Sequence, residues 1–325
     1  MAISLDIIIV NWNSGDQLKV CISSIGSAKQ DGFILRDVII VDNASTDDSL
    51  GGIDRLGVPV SIVRNSENRG FAAACNQGAA LSASDYLLFL NPDTHLFENS
   101  LAVPVAFMER AENAKIGICG IQLIDESGEE CLSYASFPDL GRFVIQATGL
   151  DRIYAGAENN KDKTISDNSG VLVVDQVIGA FFVVRKVVFE QLKGFDERFF
   201  VYFEEVDFSL RAHNNGWTSV CLTGAQCGHV GGGSSHQVKA ARLFYSLRSR
   251  VLYGFKHFSL FSAMVLLVVT LVPELFSRLI FTFVRSAWSD FGHTVRGYSM
   301  WIKSLPATLG IAVGMRKSCN QDTKQ

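Results

Sequence analysis

The 325-residue sequence predicts an α/β fold in which a mostly parallel central sheet is flanked by helices and followed by an apolar helical C-terminal segment. Three observations carry that prediction. Short β-rich runs at residues 5–10, 38–41, 60–63, 86–90 and 116–121 are bounded by polar or glycine turns. Helix-compatible stretches at 16–28, 47–56, 70–81 and 98–112 alternate with them, the pattern of strands joined by crossover helices. Apart from Asp6 and Ser61 the runs carry no polar side chain, as expected of strands covered on both faces.

Apolar residues make up 48% of the chain, enough for one large α/β domain or a domain with an appendage. The formal charge of −4 gives no general attraction to nucleic acid, and no nucleic-acid-binding motif is found. Seven cysteines (Cys21, Cys75, Cys119, Cys131, Cys221, Cys227 and Cys319) are scattered singly without a CxxC pair. They read as reduced core thiols of a cytoplasmic protein rather than a disulfide frame or a zinc site. The first residues lack a basic stretch and a small-residue cleavage site, so no signal peptide is expected.

Ligands of parallel sheets collect at the C-terminal ends of the strands. Four successive runs here end in amide or carboxylate side chains: Asn11 and Asn13, Asp42 and Asn43, Asn65 and Asn68, Asn91 and Asp93. Each is also a good capping or turn residue; the recurrence along one edge is what points to a ligand. Beyond residue 121, polar loops at 125–130 and 158–169 flank residues 137–154, which would form an acceptor-side insertion. A β-rich run at 171–184 and a helix over 186–192 follow.

Residues 234–257 carry Lys239, Arg242, Arg248, Arg250 and Lys256 with no acidic residue, and read as a basic amphipathic helix. Residues 258–284 are strongly apolar but interrupted by Pro273, Glu274 and Arg278. The part before Pro273 falls short of the roughly 20 residues a bilayer span needs. A membrane-embedded or interfacial helical hairpin is therefore expected, with Glu274 and Arg278 paired at i, i+4 to reduce the cost of burial. The polar end, 317–325, should fray. The resulting organisation is a catalytic domain over 1–255 and a helical, membrane-associated region over 256–325.

Transfer of a sugar from a nucleotide diphosphate needs a grip on the base, charge compensation for the departing diphosphate and a carboxylate to take the acceptor proton. For the base or ribose, Asp42 ends a strand and can accept from a pyrimidine N3–H or a ribose hydroxyl; it would equally cap a helix starting near Thr46. For the diphosphate, Asp93 follows a buried strand and can hold Mg²⁺ or Mn²⁺. His229, on a loop continuing into Gly231, Gly232 and Gly233, is the best second ligand, although a lone histidine can be purely structural. For the proton, Glu204, Glu205 and Asp207 open a helix beside aromatic residues, where crowding and apolar rings should raise at least one pKa. Acidic residues in a first helical turn also stabilise any helix.

The ordered set of Val10-Asn11-Trp12-Asn13, residues 41–47, Glu67-Asn68-Arg69-Gly70-Phe71 with Asn76 and Gly78, residues 90–93, and Gly194-Phe195-Asp196-Glu197 running on to 204–207 resembles family 2 glycosyltransferases. It is most similar to their rhamnosyltransferase-like branch and covers residues 1 to about 255. The resemblance implies a GT-A fold and an inverting single displacement, with Asp42 at the pyrimidine, Asp93 at the metal position and Glu205 as catalytic base. It places Asn68 and Gly70 in the nucleotide-side loop. The nucleotide-sugar site so expected comprises Asn11, Asn13, Asp42, Asn43, Asn68, Gly70, Asn76, Asn91, Asp93, Glu204 and Asp207, with Asp93 and His229 on a divalent cation.

Two departures from the family pattern stand out. Glu205 lies where many relatives have Asp, and Asn91-Pro92-Asp93 replaces Asp-x-Asp. No Gln-x-x-Arg-Trp segment follows His229, which argues for adding one sugar at a time. The expected partners are a dTDP- or UDP-sugar, a glycan or lipid-linked acceptor of cell-surface polysaccharide synthesis, and a membrane surface, at the cytoplasmic face of the inner (plasma) membrane. Two rivals are a sugar-phosphate nucleotidyltransferase, which would show a glycine-rich phosphate loop where Asn-Trp-Asn-Ser-Gly stands, and a membrane-anchored binding module without catalysis. Asp42, Asp93 and Glu205 together speak against the latter. A dinucleotide-dependent oxidoreductase would need GxGxxG at the first turn, and it is absent.

Overall fold

Each of the five β-rich runs is a strand in the computed structural model, which describes residues 2–149, 170–231, 238–284 and 288–322. The polar loop at 158–169, Gly232, Gly233 and the last three residues lie outside the described residues. In chain order the first half forms β1 (Ser4–Asn11), α1 (Gln17–Ser27), β2 (Ile34–Asp42), β3 (Val60–Arg64), α2 (Phe71–Leu81), β4 (Tyr86–Leu90), β5 (Thr94–Leu96), α3 (Ala102–Met108) and β6 (Ile116–Ile124). Then come β7 (Glu130–Cys131), β8 (Tyr134–Ala135), α4 (Leu140–Thr148), β9 (Val171–Val174), β10 (Gln176–Val177), β11 (Phe181–Arg185), α5 (Lys186–Gln191), α6 (Glu204–Asn214) and β12 (Thr218–His229). Four helices finish the chain: α7 (Lys239–His257), α8 (Leu260–Leu271), α9 (Pro273–Val284) and α10 (Trp288–Asp322).

Among the described residues the main sheet runs β3-β2-β1-β4-β11-β6-β12-β5, with β7 on β6 and β9 on β12. Strands β3, β2, β1 and β4 are parallel, β11 is inserted antiparallel between β4 and β6, and β12 runs parallel to β6. Two cores cover the two faces. Leu5, Ile7 and Ile9 of β1 meet Leu18, Cys21 and Ile22 of α1 on one side, while Ile8 and Val10 meet Ala72, Cys75 and Ala79 of α2 on the other. The two-residue side-chain period of a strand makes that division. Helix α2 lies so close to the sheet that a Cβ on Gly78 would come within 2.7 Å of Ile8 Cγ2.

Two helices expected from the sequence are reduced. Residues 47–56 form only a 3-10 turn at Ile53–Arg55, because Asp47 and Ser49 spend their side chains on other partners and Gly52 adopts positive φ. The stretch 98–112 yields α3 and a 3-10 turn at Ala111–Asn113. Five cysteines are buried and Cys131 is half-buried, all as free thiols; the side chain of Cys319 is outside the description.

Contacts divide the described residues into two compact units, one drawn from 2–137, 170–197 and 204–231, the other from 138–149, 198–203, 238–284 and 288–322. The first holds the sheet, and the second holds α4 and α7 to α10. In the helical unit, Gly254 of α7 faces Leu266 of α8, and Gly297 of α10 faces the Ala240 carbonyl of α7, where an added Cβ would sit 2.9 Å away. The expected hairpin over 258–284 is not formed. Val272 alone separates α8 from α9 and stays in the right-handed helical region, so the chain continues as one interrupted helix. Pro273 begins α9 at the position where a missing N–H costs nothing. Leu260–Val284 is then, among the described residues, the one helix long and apolar enough to cross a membrane.

Glu274 and Arg278 pair as expected, with Nε and Nη2 of Arg278 donating to Oε1 at 3.0 and 2.8 Å. Arg250 of α7 donates to Oε2 of the same buried carboxylate at 2.5 Å. The tail expected to fray is helical as far as Asp322.

Candidate active site

The sheet topology collects the candidate side chains at one edge. Asn65 follows β3, Asp42 ends β2, Asn11 ends β1 in register with Asp42, and Asn91 follows β4. Because β11 runs antiparallel to β4, its start lies at that same edge, and Asn91 N–H donates to the Ala180 carbonyl at 3.0 Å. His229 ends β12, opposite Thr94 of β5. With strands about 4.8 Å apart, Asp42 and Asn91 are separated by roughly 10 Å, the span of a nucleoside and its first phosphate groups.

On the β1–β3 side the amides and hydroxyls form one buried network. Asn11 Nδ2 donates to Asp42 Oδ1 at 2.8 Å and to the hydroxyls of Ser45 and Ser49, and Ser45 N–H donates to Asp42 Oδ2 at 3.2 Å. Asn13, at positive φ, accepts from Thr46 N–H at 2.7 Å and holds the turn after β2. Asn43 donates to the Gly70 carbonyl and accepts from Asn65, which is also bonded to Gln77. Asn68 accepts from Gly70 N–H at 2.9 Å, and Gly70 itself has φ of +88° at the start of α2. Asp42 is thereby fixed in orientation, while each carboxylate oxygen keeps lone-pair capacity for a further donor. Asp42 does not serve as a helix cap, because no α-helix begins near Thr46.

Asp93 and His229 meet although 136 positions apart in sequence. Val230 N–H donates to the Asp93 carbonyl at 3.1 Å as β5 pairs with β12, and this brings His229 Nε2 to 3.4 Å from Asp93 Oδ1. Two ligands of one divalent ion, each about 2.0–2.2 Å from it, stand about 3.0–3.5 Å apart, so the pair fits a shared cation. Among the described residues no cluster of three or more His, Cys, Asp or Glu side chains surrounds them. Phosphate oxygens and water would complete the shell, the usual arrangement for ions that retain water and bind substrate phosphates.

Glu204 and Glu205 open α6, which the backbone enters through two successive positive-φ residues, Tyr202 and Phe203, a strained approach of the kind found at functional sites. Glu205 approaches the start of β11: a Cβ on Gly179 would lie 3.5 Å from Glu205 Cγ. Burial raises the pKa of both carboxyls, and the charge of Glu205 adds to the rise at Glu204. The helix dipole opposes this by only about 0.3–1 kcal/mol, less than one pKa unit, whereas desolvation can shift a carboxyl by several units. The residue Glu205 as a whole is half-buried, yet its Oε2 is shielded from solvent, and among the described residues Oε2 of each glutamate lacks a hydrogen-bond partner. An unpaired buried carboxylate oxygen is costly to a fold and useful to a proton acceptor.

Two members of the expected set are engaged elsewhere. Asn76 donates to the Phe195 carbonyl at 2.8 Å and to Glu197 Oε1 at 3.0 Å, and accepts from Phe195 N–H at 2.9 Å. Asp207 is fully buried and accepts from Arg211 Nε at 2.8 Å, while the rest of that guanidinium donates to the carbonyls of Leu192 and Gly194. Both side chains thus hold the Gly194–Glu197 segment in place. Phe195 of that segment packs among Phe89, Phe189 and Phe208 at centroid distances of 4.9 to 5.3 Å. Sequence reasoning missed Arg211, Ser45, Ser49 and Gln77; the spacing of Arg211 four residues after Asp207 is the one available signal.

The Asn76 geometry makes a discriminating expectation. Asn76→Ala should destabilise the sheet unit by about 2–4 kcal/mol in denaturant titration, because it orphans both Phe195 backbone groups, and leave nucleotide affinity within about two-fold. Weakened nucleotide binding at unchanged stability would place Asn76 at the ligand instead.

A family model described as glycosyl transferase family 2 matches residues 6–192. Rhamnosyltransferase WbbL of Escherichia coli (strain K12) is 30% identical over 130 residues, 39% of this chain and 45% of that protein. The N-acetylglucosaminyl-diphospho-decaprenol L-rhamnosyltransferase of Mycobacterium tuberculosis (strain CDC 1551 / Oshkosh) is 25% identical over 240 residues, 69% of this chain and 75% of that protein. Among solved structures, GalNAc-T7 with UDP, GalNAc and Mn²⁺ superposes at a TM-score of 0.54 and 15% identity, covering 70% of this chain and 43% of that one. The mannosyltransferase PcManGT from Pyrobaculum calidifontis, in complex with GDP-Man and Mn²⁺, gives 0.52 and 13%, covering 97% and 83%. The chain spans less than half the length of the first relative and of the first structure. The sheet architecture is that of the GT-A fold.

Proposed function

The chain belongs to glycosyltransferase family 2, and we propose that it moves one sugar from a nucleotide-diphosphate donor to an acceptor hydroxyl with inversion at the anomeric carbon. The observation that carries this reading is a desolvated glutamate, Glu205, at the same sheet edge as Asp42 and the Asp93–His229 pair. In the proposed mechanism Asp42, oriented by Asn11 and Ser45 N–H, accepts from the pyrimidine N3–H or a ribose hydroxyl. Asp93 and His229 would hold a Mg²⁺ or Mn²⁺ ion, which when bound would compensate the charge of the diphosphate. Glu205 takes the proton of the acceptor hydroxyl as that oxygen attacks the anomeric carbon, and the bond to the diphosphate oxygen breaks on the opposite face. A single displacement of this kind inverts the stereocentre.

The two bacterial relatives are named as rhamnosyltransferases, which favours dTDP-rhamnose as donor, and the mycobacterial name carries a diphosphate-linked lipid, which favours a lipid-linked acceptor. A location at the cytoplasmic face of a membrane is part of this reading, and the helical unit supports its membrane half: Phe261, Val268, Phe276, Ile280 and Phe283 are all more than half exposed along α8 and α9. The reading is tested by a donor panel of dTDP- and UDP-sugars with Mg²⁺ or Mn²⁺ and a polyprenyl-diphosphate-linked sugar as acceptor, scored by nucleoside-diphosphate release. Acceptor-dependent release, highest with dTDP-rhamnose, is expected. Donor binding without release from any sugar nucleotide would leave only a binding module.

A further inference from the structure

A cavity of about 660 Å³ in the helical unit shares no residue with the proposed donor, metal and base positions. One face each of three helices builds it: Lys239, Arg242, Leu243 and Ser246 of α7, Arg278, Phe281 and Thr282 of α9, and Asp290, His293 and Thr294 of α10. The α7 residues stand at i, i+3, i+4 and i+7, one stripe of a helix.

The charges of the lining do not cancel. Lys239 is matched by Asp290 at 3.1 Å. Arg278 shares the single carboxylate of Glu274 with Arg250, so that trio carries one surplus positive charge. Among the described residues Arg242 has no acidic partner, which adds a second. The hydroxyl of Ser246 and the imidazole of His293 add hydrogen-bonding groups, whereas the hydroxyls of Thr282 and Thr294 donate to the carbonyls of Leu279 and Asp290 at 2.9 and 2.8 Å. The Nε and Nη2 donors of Arg278 are taken by Glu274, so the recognition of a phosphate dianion falls to the surplus of about two positive charges, the guanidinium of Arg242 and the side chains of Ser246 and His293.

Helix α9 also says where that anion comes from. Arg278, Phe281 and Thr282 face the cavity, while Phe276, Ile280, Phe283 and Val284, 59 to 73% exposed, occupy the opposite side of the same helix. A helix is about 10 Å across, so a bare apolar surface and a cationic cavity lie within one lipid's reach of each other.

We propose that this cavity binds the phosphate headgroup of a membrane lipid and selects headgroups bearing two negative charges, a phosphomonoester or a diphosphate. The proposal rests on the membrane reading of the helical unit. It is independent of the donor and of Glu205. A bulk phospholipid and a lipid-diphosphate acceptor share this chemistry, and the test separates them.

The full chain is floated with phosphatidylcholine vesicles containing phosphatidic acid, undecaprenyl diphosphate or phosphatidylglycerol at equal total charge and about 0.15 M salt. Wild type should prefer the first two over phosphatidylglycerol. Lys239→Gln with Arg242→Gln should lose that preference by about five-fold per cation removed, while Arg36→Gln with Arg55→Gln, exposed in the sheet unit, should keep it. The charge-conserving pair Lys239→Arg and Arg242→Lys, melting like wild type, should also keep it. A preference for undecaprenyl diphosphate alone assigns the cavity to the acceptor; an equal response to phosphatidic acid assigns it to bulk lipid. Equal binding to all three vesicles, or an unchanged preference in the Gln pair, would overturn the proposal. If no vesicle binds, the membrane reading fails, and calorimetry with inorganic pyrophosphate then decides the cavity: heat lost in the Gln pair supports it, and absence of heat from wild type overturns it.

Discussion

Glu205→Gln should bind sugar nucleotide with wild-type affinity and turn it over about 10²–10⁴-fold more slowly, the range associated with loss of a general base. The amide matches the carboxylate in shape and cannot accept the acceptor proton. Burial holds the Glu205 pKa above the ordinary glutamate range, so kcat/KM of the wild type should rise with pH through that elevated ionisation, and the variant's residual activity should lack the step. Stability carries the opposite sign. A carboxyl whose pKa is raised by folding costs nothing below the unfolded value of about 4.3, where it is protonated in both states. As pH rises from there the unfolded chain ionises first, and the folded state loses stability until its own carboxyl has ionised. The Gln variant escapes that loss, so at neutral pH it should melt no lower than wild type. Turnover at the wild-type rate would remove Glu205 from the chemistry, and a lower melting temperature would contradict its desolvation.

Much of the sheet edge is written in local sequence. The β-branched runs of β1, β2 and β3 stop where Asn11, Asp42 and Asn65 begin, and a residue that ends a buried strand with a polar group marks the edge whatever the strand order. The direction of β11 is not so written, because Phe181–Arg185 reads as an apolar run either way round, yet its antiparallel insertion puts Gly179 beside Glu205. Nor is the work of Asn76 and Asp207 legible. Both are ligand-type side chains within a family motif, but the groups that claim them include backbone atoms of Phe195, 119 positions from Asn76, and an arginine whose other donors go to carbonyls.

The same limit explains the expected helix at 47–56. Its Asp and Ser residues look like caps, and the fold uses them as partners for Asn11 and Gly15. In the helical unit, Pro273 suggests a reversal of direction to a reader of the sequence. A proline at the first position of a helix allows the chain to continue, and the one-residue link at Val272 leaves no length for a turn back. Arg250 as second partner of Glu274 is hidden because charge pairing between separate helices has no sequence spacing.

The second large effect concerns the pair that the sequence could only suggest. Asp93→Asn should weaken Mn²⁺ binding in the presence of nucleoside diphosphate by about 10–100-fold, read by calorimetry or by the spin resonance of free Mn²⁺, and reduce turnover at limiting metal by a similar factor. The amide retains one oxygen donor but loses the charge that a hard cation seeks, so raising Mn²⁺ should restore part of the activity. His229→Gln should give a related but smaller loss, because it removes a neutral donor. Combining the two should cost less than the sum of the single losses, since 3.4 Å between Nε2 and Oδ1 means that both act on one ion. Strict additivity would indicate two unrelated sites. Wild-type metal dependence in Asp93→Asn would show that the cation, if the enzyme uses one, is held by other residues, and His229 would then be a structural partner of Asp93 in the β5–β12 pairing.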